Sequence, residues 1–356
     1  MKNKDIKVIF TGGTIGSFTN GGETKTDEAS SSLLLSLSGE NTERFSIARP
    51  VYILSENMLR ANQIAIAKSI DEALKEDNKG IIVTHGTDTL AFGAPFYSML
   101  FANAEKPIVM VSSNKVLNNP LANGVANFKS ACRFIEKASD AGIGGVFVSY
   151  KNPSEDFTRI HMGSRIQEPT SQSEEFYGFG NTSFATVSKD GYIKFLQSPF
   201  KSNSSYRFDL SSNKNNNGLL VRPHPNLDYS LFKSLLQKPA FVLQSTYHSG
   251  TICNAQDDLA DTSTLDFGDY CAHKNIPFYL ADIRKQENVY ESSTDIEKHS
   301  ITPLYNTLSN VAYSKLDIAY NFINNPIERK DFLSQNVAGE DLEVVLKEYD
   351  NSLDLV

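Results

Sequence analysis

Over its first 150 residues the chain alternates short β-branched or apolar runs with longer segments of helical period, and that rhythm leaves few folds open. Strands are read at residues 7–10, 51–54, 80–84, 107–111 and 145–149. Between them, residues 61–77 keep Ala67, Ile70, Ala73 and Leu74 on a helix period, and residues 87–101 and 123–137 also read as helices. Alternation of this kind builds βαβ units: a parallel sheet with helices on both faces.

Near residue 150 the pattern changes. Residues 150–165 and 188–198 read as short antiparallel strands with an Asp-Gly turn at Asp190-Gly191. The stretch "KSNSSYRFDLSSNKNNNG" (201–218) has linker composition. The α/β rhythm then resumes, with strands at 240–244 and 278–283 and a helix near 265–273. An amphipathic helix at 307–323 carries Leu308, Val311, Ala312, Leu316, Ala319 and Phe322 on one face, and a last helix is read at 340–349. The expected fold class is α/β, with a larger N-terminal doubly wound mixed sheet domain over residues 1–200. A polar linker over 201–220 and a smaller C-terminal α/β domain over 221–356 complete it.

Composition narrows the function classes. A net charge of −8 argues against binding a nucleic-acid backbone, which needs a basic patch. No apolar run approaches the roughly 20 residues that span a bilayer. The start "MKNKDIKVIF" lacks the apolar core and cleavage site of a signal peptide, and three scattered cysteines (Cys132, Cys253, Cys271) suit a reducing compartment. A cytoplasmic protein with no membrane segment and no nucleic-acid partner is therefore expected.

Two strand ends carry chemistry. In "VIFTGGTIGSF" (8–18) the strand runs into Gly12-Gly13-Thr14, and paired glycines let backbone amides approach a ligand. In "IIVTHGTDTL" (81–90) Gly86 makes the turn, and Thr87 and Asp88 open the next helix, where unsatisfied amides favour negative charge. Either motif alone serves equally as a tight turn or a helix cap. Neither is a nucleotide signature, since GxxxxGK[ST] and a helix-opening GxGxxG are both absent. Together they supply two threonine hydroxyls, a carboxylate and free amides, the equipment for nucleophilic attack on an amide or ester carbonyl.

"TGGTIGS" (11–17) and "THGTDTL" (84–90) resemble the two signature motifs of the bacterial-type L-asparaginases. "VYILSENM" (51–58) resembles the family's second-strand segment and "KPIVMVSS" (106–113) the strand after the second motif's helix. "NVYESS" (288–293) and "ITPLYNTLSNVAYSKLDIAYN" (301–321) resemble the C-terminal domain, closest to cytoplasmic type I enzymes and to the asparaginase-like subunit of tRNA-dependent amidotransferases. The likeness is densest over 6–130 and weak from 150 to 280. With no extra domain ahead of the first strand, a free-standing enzyme is expected over an amidotransferase subunit. The resemblance implies a double-displacement amidohydrolase in which Thr14 attacks the side-chain amide of asparagine, ammonia leaves, and water frees aspartate. It implies that Thr87 helps activate the nucleophile or water, that Asp88 grips the substrate amino group, and that Ser55 binds the α-carboxylate. Gly13, Gly86 and Glu56 would shape and line the substrate pocket. It further implies a homo-oligomer, a dimer or tetramer, and no metal or organic cofactor.

Departures from the family pattern accompany the matches. Residues 16–32 hold none of the family's loop tyrosine, and Lys25, read as a solvated loop lysine, is the nearby candidate base. Where the family has a lysine after a stretch like "IHMG" (160–163), this chain has Arg165, Gln167 and Glu168. Arginine is never deprotonated and cannot act as a base, and a glutamate beside Asp88 adds like charge. Glu56 replaces a usual glutamine, and a carboxylate there binds an ammonium or another cationic group more strongly. His248, in "TYHSGTICN" (246–254), is a further candidate base, although a lone loop histidine more often serves hydrogen-bonded structure. Three readings stand: an asparaginase-type amidohydrolase, a binding protein on the same scaffold that has lost turnover, and an amidase for a modified or peptide-linked amide.

Overall fold

The computed structural model describes residues 5–343, apart from 21–22, 27, 235–236, 256–257 and 286–293; for 17–20, 23–26, 28–31 and 297 it describes the backbone alone. Two compact units emerge, Met1–Ser211 with Asn336–Gly339, and Ser212–Gln335 with Glu340–Val356. The first unit ends inside the polar stretch 201–220, and the chain returns to it for four residues near its end.

In the first unit the elements follow one another as β1 (Ile6–Ile9), β2 (Ser17–Asn20), β3 (Glu23–Thr26), α1 (Glu28–Ser38), β4 (Phe45–Ala48) and α2 (Arg60–Lys75). There follow β5 (Gly80–Thr84), α3 (Leu90–Leu100), β6 (Pro107–Val111), α4 (Gly124–Asp140), β7 (Gly145–Tyr150), β8 (Thr158–Met162), β9 (Ala185–Val187) and β10 (Ile193–Phe195). Eight strands form one sheet in the order β10-β9-β8-β7-β6-β5-β1-β4. Strands β4, β1, β5, β6 and β7 are parallel, and β8, β9 and β10 continue antiparallel. Strands β5 and β6 are buried at every position, as expected of strands covered on both faces. One face packs Val8, Ile82 and Val109 against Phe128, Ala131 and Ile135 of α4 and Leu34 of α1. The other carries α2, whose Ile66, Ala67 and Ile70 are fully buried, and α3. Burying each of the larger of these side chains (Val, Leu, Ile, Phe) stabilises the unit by about 1.5–3 kcal/mol.

The connections decide where a ligand can sit. From β1 the chain goes outward to β4, then crosses back over β1 to β5 and continues outward the other way. The carboxyl ends of β1 and β5 therefore flank the topological switch point, the usual crevice of an open α/β sheet.

Two expectations for this region need correcting. The second strand is not residues 51–54 but Phe45–Ala48, and Ile53 makes only an isolated bridge to Gly12. Pro50 has no N–H to donate and disfavours helix at Arg49, so the paired run stops before it. Residues 16–32, read as a loop, instead contain the β2–β3 hairpin, with Ser17 opposite Thr26 and Asn20 opposite Glu23, and the start of α1.

The smaller unit holds β11 (Gly218–Val221), α5 (Ser230–Lys233), β12 (Phe241–Ser245), α6 (Thr264–His273), β13 (Phe278–Ile283), β14 (Ile301–Tyr305), α7 (Ser309–Phe322) and α8 (Pro326–Ser334). Its four strands are parallel in the order β11-β12-β13-β14. Pro303 lies on the edge strand β14, where a missing donor is tolerated. The helix read at 340–349 falls largely, and residues 288–293 wholly, outside the described residues. The fold is thus α/β, a larger doubly wound mixed sheet unit with a smaller parallel α/β unit. Among the described residues no helix is long and apolar enough to cross a membrane.

Candidate active site

The site grows from the ends of β1 and β5. Thr11 ties the two strands together: its N–H donates to Thr84 Oγ1 (3.0 Å) and its hydroxyl to the Thr84 carbonyl (2.5 Å). Beyond it, Gly12 and Gly13 take positive φ angles of 96° and 73°, open without strain only to glycine. Gly12 also lies against Ile53, where an added Cβ would come within 2.3 Å of the carbonyl oxygen. The Gly13 N–H donates to that same carbonyl (2.8 Å). Thr14 then opens a 3-10 turn, Thr14–Gly16, closed by the Gly16 N–H on the Gly13 carbonyl (2.9 Å).

Gly86 does the corresponding work on β5 for a different reason. Its φ of −76° and ψ of 152° suit any residue, so its need for glycine is purely one of space. A Cβ on Gly86 would sit 2.3 Å from Ser55 Oγ, and one on Gly13 would sit 2.6 Å from Gly86 Cα. The Gly13 and Gly86 backbones are therefore in direct contact, and Thr14 and Thr87 leave from adjoining points. Thr87–Thr89 forms a 3-10 turn leading into α3.

Ser55, 3% exposed, starts the 3-10 turn Ser55–Asn57. Its hydroxyl donates to Asp88 Oδ2 (3.1 Å), and its carbonyl accepts the Thr89 hydroxyl (3.1 Å). Asp88 and Glu56 are exposed, Thr14 and Thr87 half-buried. No described residue hydrogen-bonds either the Thr14 or the Thr87 hydroxyl. Thr14, Gly13, Ser55, Gly86, Thr87 and Asp88 are thus placed at one strand-end crevice, with Glu56 next to Ser55 in the chain.

Below this layer His85 is buried and neutral. Desolvation lowers its pKa, opposed by the Gly86 carbonyl and by Asp88. Its Nδ1 meets that carbonyl at 2.8 Å, so the proton sits on Nδ1. Ser112 Oγ donates to the His85 carbonyl (2.6 Å), and Gly93 leaves room for the ring, where a Cβ would lie 2.8 Å from Nε2. No sequence argument singles out these props (Thr11, Thr84, His85, Thr89, Gly93 and Ser112). The polar run "VTHGTDTL" is the available signal for those on β5 and its turn.

The residues weighed as replacements lie elsewhere or do other work. Arg165 Nε donates to the Gly339 carbonyl (2.5 Å) of the returning segment. Glu168 is half-buried just beyond the Gln167 N–H, which donates to the Tyr177 carbonyl (3.0 Å). Neither is bonded to Asp88, whose one partner among the described residues is Ser55. The Lys25 backbone pairs with Phe18 in the hairpin, and its side chain lies outside the described residues. His248 is exposed in a turn of the smaller unit. Among the described residues no group of three or more His, Cys, Asp or Glu side chains is placed to hold a metal ion.

Residues 5–200, more than half the chain, match the family model described as "Asparaginase, N-terminal". The chain belongs to the asparaginase family. Among its curated relatives is a subunit of the glutamyl-tRNA(Gln) amidotransferase of Pyrococcus furiosus, 26% identical over 293 residues, covering 81% of this chain and 65% of the relative. The same amidotransferase subunit from Methanococcus maripaludis is 26% identical over 358 residues, covering 95% of this chain and 81% of the relative. The asparaginase-family chain thus spans just under two thirds of the length of the Pyrococcus relative. Among solved structures, the thermostable L-asparaginase from Thermococcus kodakarensis superposes with a TM-score of 0.76 at 20% identity, over 94% of this chain and 98% of that one. L-asparaginase I from Vibrio cholerae gives 0.75 at 20% identity, over 95% and 99%. Likenesses at that identity establish the asparaginase fold.

Proposed function

We propose that this chain is an amidohydrolase of the asparaginase type, hydrolysing L-asparagine or a related side-chain amide through a threonine nucleophile. The observation that carries the reading is the backbone contact of Gly13 with Gly86, which sets Thr14 and Thr87 on adjoining turns beside the hydrogen-bonded pair Ser55–Asp88. Thr14 attacks the carboxamide carbon, the C–N bond breaks and ammonia leaves, and water then releases the new carboxylate from the Thr14 ester. Thr87 orients the nucleophile or the water, and amides at the glycine turns face the developing oxyanion. Asp88 and Glu56 receive the substrate ammonium, and Ser55 the α-carboxylate. The likeness of residues 301–321 to cytoplasmic type I enzymes, a cytoplasmic location and a homodimer or homotetramer belong to the same reading. The names of the curated relatives support chemistry on an amide nitrogen.

A second reading has its own support. Thr14 has no described hydrogen-bond partner, and no cation stands on Asp88 where the family's lysine would bring one. A protein that binds an amide or amino acid without turning it over fits those two facts. Ammonia release from asparagine, glutamine and a panel of small amides separates the two. Release abolished in Thr14→Ala and in Thr87→Ala supports the enzyme; ligand-induced thermal stabilisation with no ammonia supports the binding protein and overturns the first reading.

A further inference from the structure

Below the crevice, a chain of buried polar groups ends on the backbone of the second turn. Asn127 on α4 gives an Nδ2 proton to the Ser112 carbonyl (2.8 Å), and Ser112 gives its hydroxyl to the His85 carbonyl (2.6 Å). The His85 N–H donates to the Val111 carbonyl (2.9 Å). Asn127 and Ser112 are fully buried, and His85 is 1% exposed. Gly93 on α3 leaves the ring its place, since a Cβ there would meet Nε2 at 2.8 Å. Held in this way, the ring directs its Nδ1–H at the Gly86 carbonyl, 2.8 Å away.

That carbonyl shares a peptide unit with the Thr87 N–H. In a trans peptide the two point in opposite directions, so fixing the one aims the other. The carbonyl faces the buried ring, and the Thr87 N–H therefore faces away from it, out of the first position of the turn Thr87–Thr89. It has no acceptor among the described residues, whereas the neighbouring Gly13 N–H is already bonded to the Ile53 carbonyl. The 3-10 turn itself draws on the Gly86 carbonyl, but 3-10 bonds are poorly aligned, and glycine has no Cβ to restrain the plane. The imidazole supplies the second hold on it.

Resting on the amidohydrolase reading above, we infer that His85 is a positioning residue of this site: by holding the Gly86 carbonyl, it aims the Thr87 N–H at the carbonyl oxygen of the amide under attack. His85 acts through the peptide unit and exchanges no proton with the substrate or the nucleophile. As Thr14 adds to the carboxamide carbon, negative charge grows on that oxygen, and a donor already aimed at it needs no reorganisation. A misaimed donor weakens the transition state more than the bound substrate, so the effect falls on kcat.

The test compares three variants. His85→Asn carries an Nδ2–H that can take the place of Nδ1–H, His85→Leu has nearly the same shape as that variant without a donor, and His85→Gln displaces the donor toward the Nε2 position. Ammonia release gives kcat and KM for the best amide substrate, and calorimetry gives the stability of each variant. Positioning predicts a roughly tenfold lower kcat in His85→Leu and His85→Gln with KM unchanged, below the roughly 100- to 1000-fold cost of deleting an oxyanion donor outright. In His85→Asn kcat stays near the parental value. A merely structural role predicts the reverse order, because leucine buries no polar group at this site and asparagine does. In the parent, 15N NMR of histidine-labelled protein should show His85 protonated on Nδ1. Parental kcat in His85→Leu, equal losses in His85→Asn and His85→Leu, or a proton on Nε2 of His85 in the parent overturns the inference and leaves the amidohydrolase reading standing. No ammonia from the parent with any amide overturns that reading and the inference with it.

Discussion

Replacing Gly86 with alanine isolates the packing on which the site rests. Because Gly86 has an extended backbone, the substitution carries no conformational penalty, and its effect comes from space alone. The new methyl would lie 2.3 Å from Ser55 Oγ and 2.5 Å from Ser55 Cβ, against a normal separation of about 3.5–4 Å. Retreat in the other direction is blocked, because Gly13 packs against Gly86 from the β1 side. Overpacking of this kind costs about 1–3 kcal/mol, and loss of the Ser55–Asp88 hydrogen bond adds about 1 kcal/mol at this exposed carboxylate. Gly86→Ala should therefore destabilise by about 2–4 kcal/mol, a fall in melting temperature of roughly 4–16 °C for a unit of this size. Calorimetry measures the shift. Adding Ser55→Gly removes both clashing atoms and leaves Ser55 N at 3.3 Å as the nearest neighbour. The double variant should recover at least about 1 kcal/mol relative to the sum of the single changes, without recovering ligand binding. A Gly86→Ala protein that melts within about 0.5 kcal/mol of the parent, or a strictly additive double variant, would refute the packing argument.

Two further predictions concern groups away from the site. His161 is buried with neither ring nitrogen in a well-formed hydrogen bond, and desolvation, with a smaller contribution from Arg159, lowers its pKa to about 4. The unfolded chain takes up a proton near pH 6.5 and the folded chain does not, so stability is full above that pH and falls as pH drops toward 4. Urea unfolding at pH 7 and pH 5 should show His161→Leu losing about 2 kcal/mol less than the parent across that interval, and an unchanged pH dependence would contradict the assignment. In the smaller unit, Lys315 Nζ lies 2.7 Å from Glu340 Oε1, with side-chain exposures of 6% and 2%. Lys315→Met deprives a buried carboxylate of its cation and should destabilise this unit by about 3–5 kcal/mol, seen as early proteolysis within 212–335; unchanged proteolysis would count against it.

How much of this is readable in the sequence depends on the range of the interactions. "GIIVT" and "PIVMV" are apolar at nearly every position, and both form fully buried central strands. The edge strand "FSIA" is only partly buried, with Ile47 40% exposed, and apolar periodicity favours the more apolar "VYIL" beyond Pro50 in its place. Helix α7 displays one apolar face, yet Asn310, Ser314, Lys315, Asp317 and Asn321 are buried too. Ser314 and Asp317 find partners one turn away, in the Asn310 carbonyl and Asn321, but Asn321 Nδ2 also donates to the Asn216 carbonyl and Lys315 pairs with Glu340, and no local pattern encodes such distant contacts.

The same division runs through the site. Thr14, Thr87 and Asp88 follow glycines at strand ends, a local signal that the chain displays openly. That Gly86 is a glycine because of Ser55, 31 residues earlier, is a fact of packing alone. The Ser55–Asp88 bond, between residues 33 positions apart, is equally invisible in the sequence.

The central claim is that Thr14 carries the chemistry. The most direct measurement is acid-quench mass spectrometry during turnover of the best amide substrate, with peptide mapping of any covalent adduct. An acyl ester on Thr14 is expected, absent in Thr14→Ala and lost on standing in water. Turnover with the adduct on Thr87, or ammonia released at the parental rate by Thr14→Ala, would contradict it.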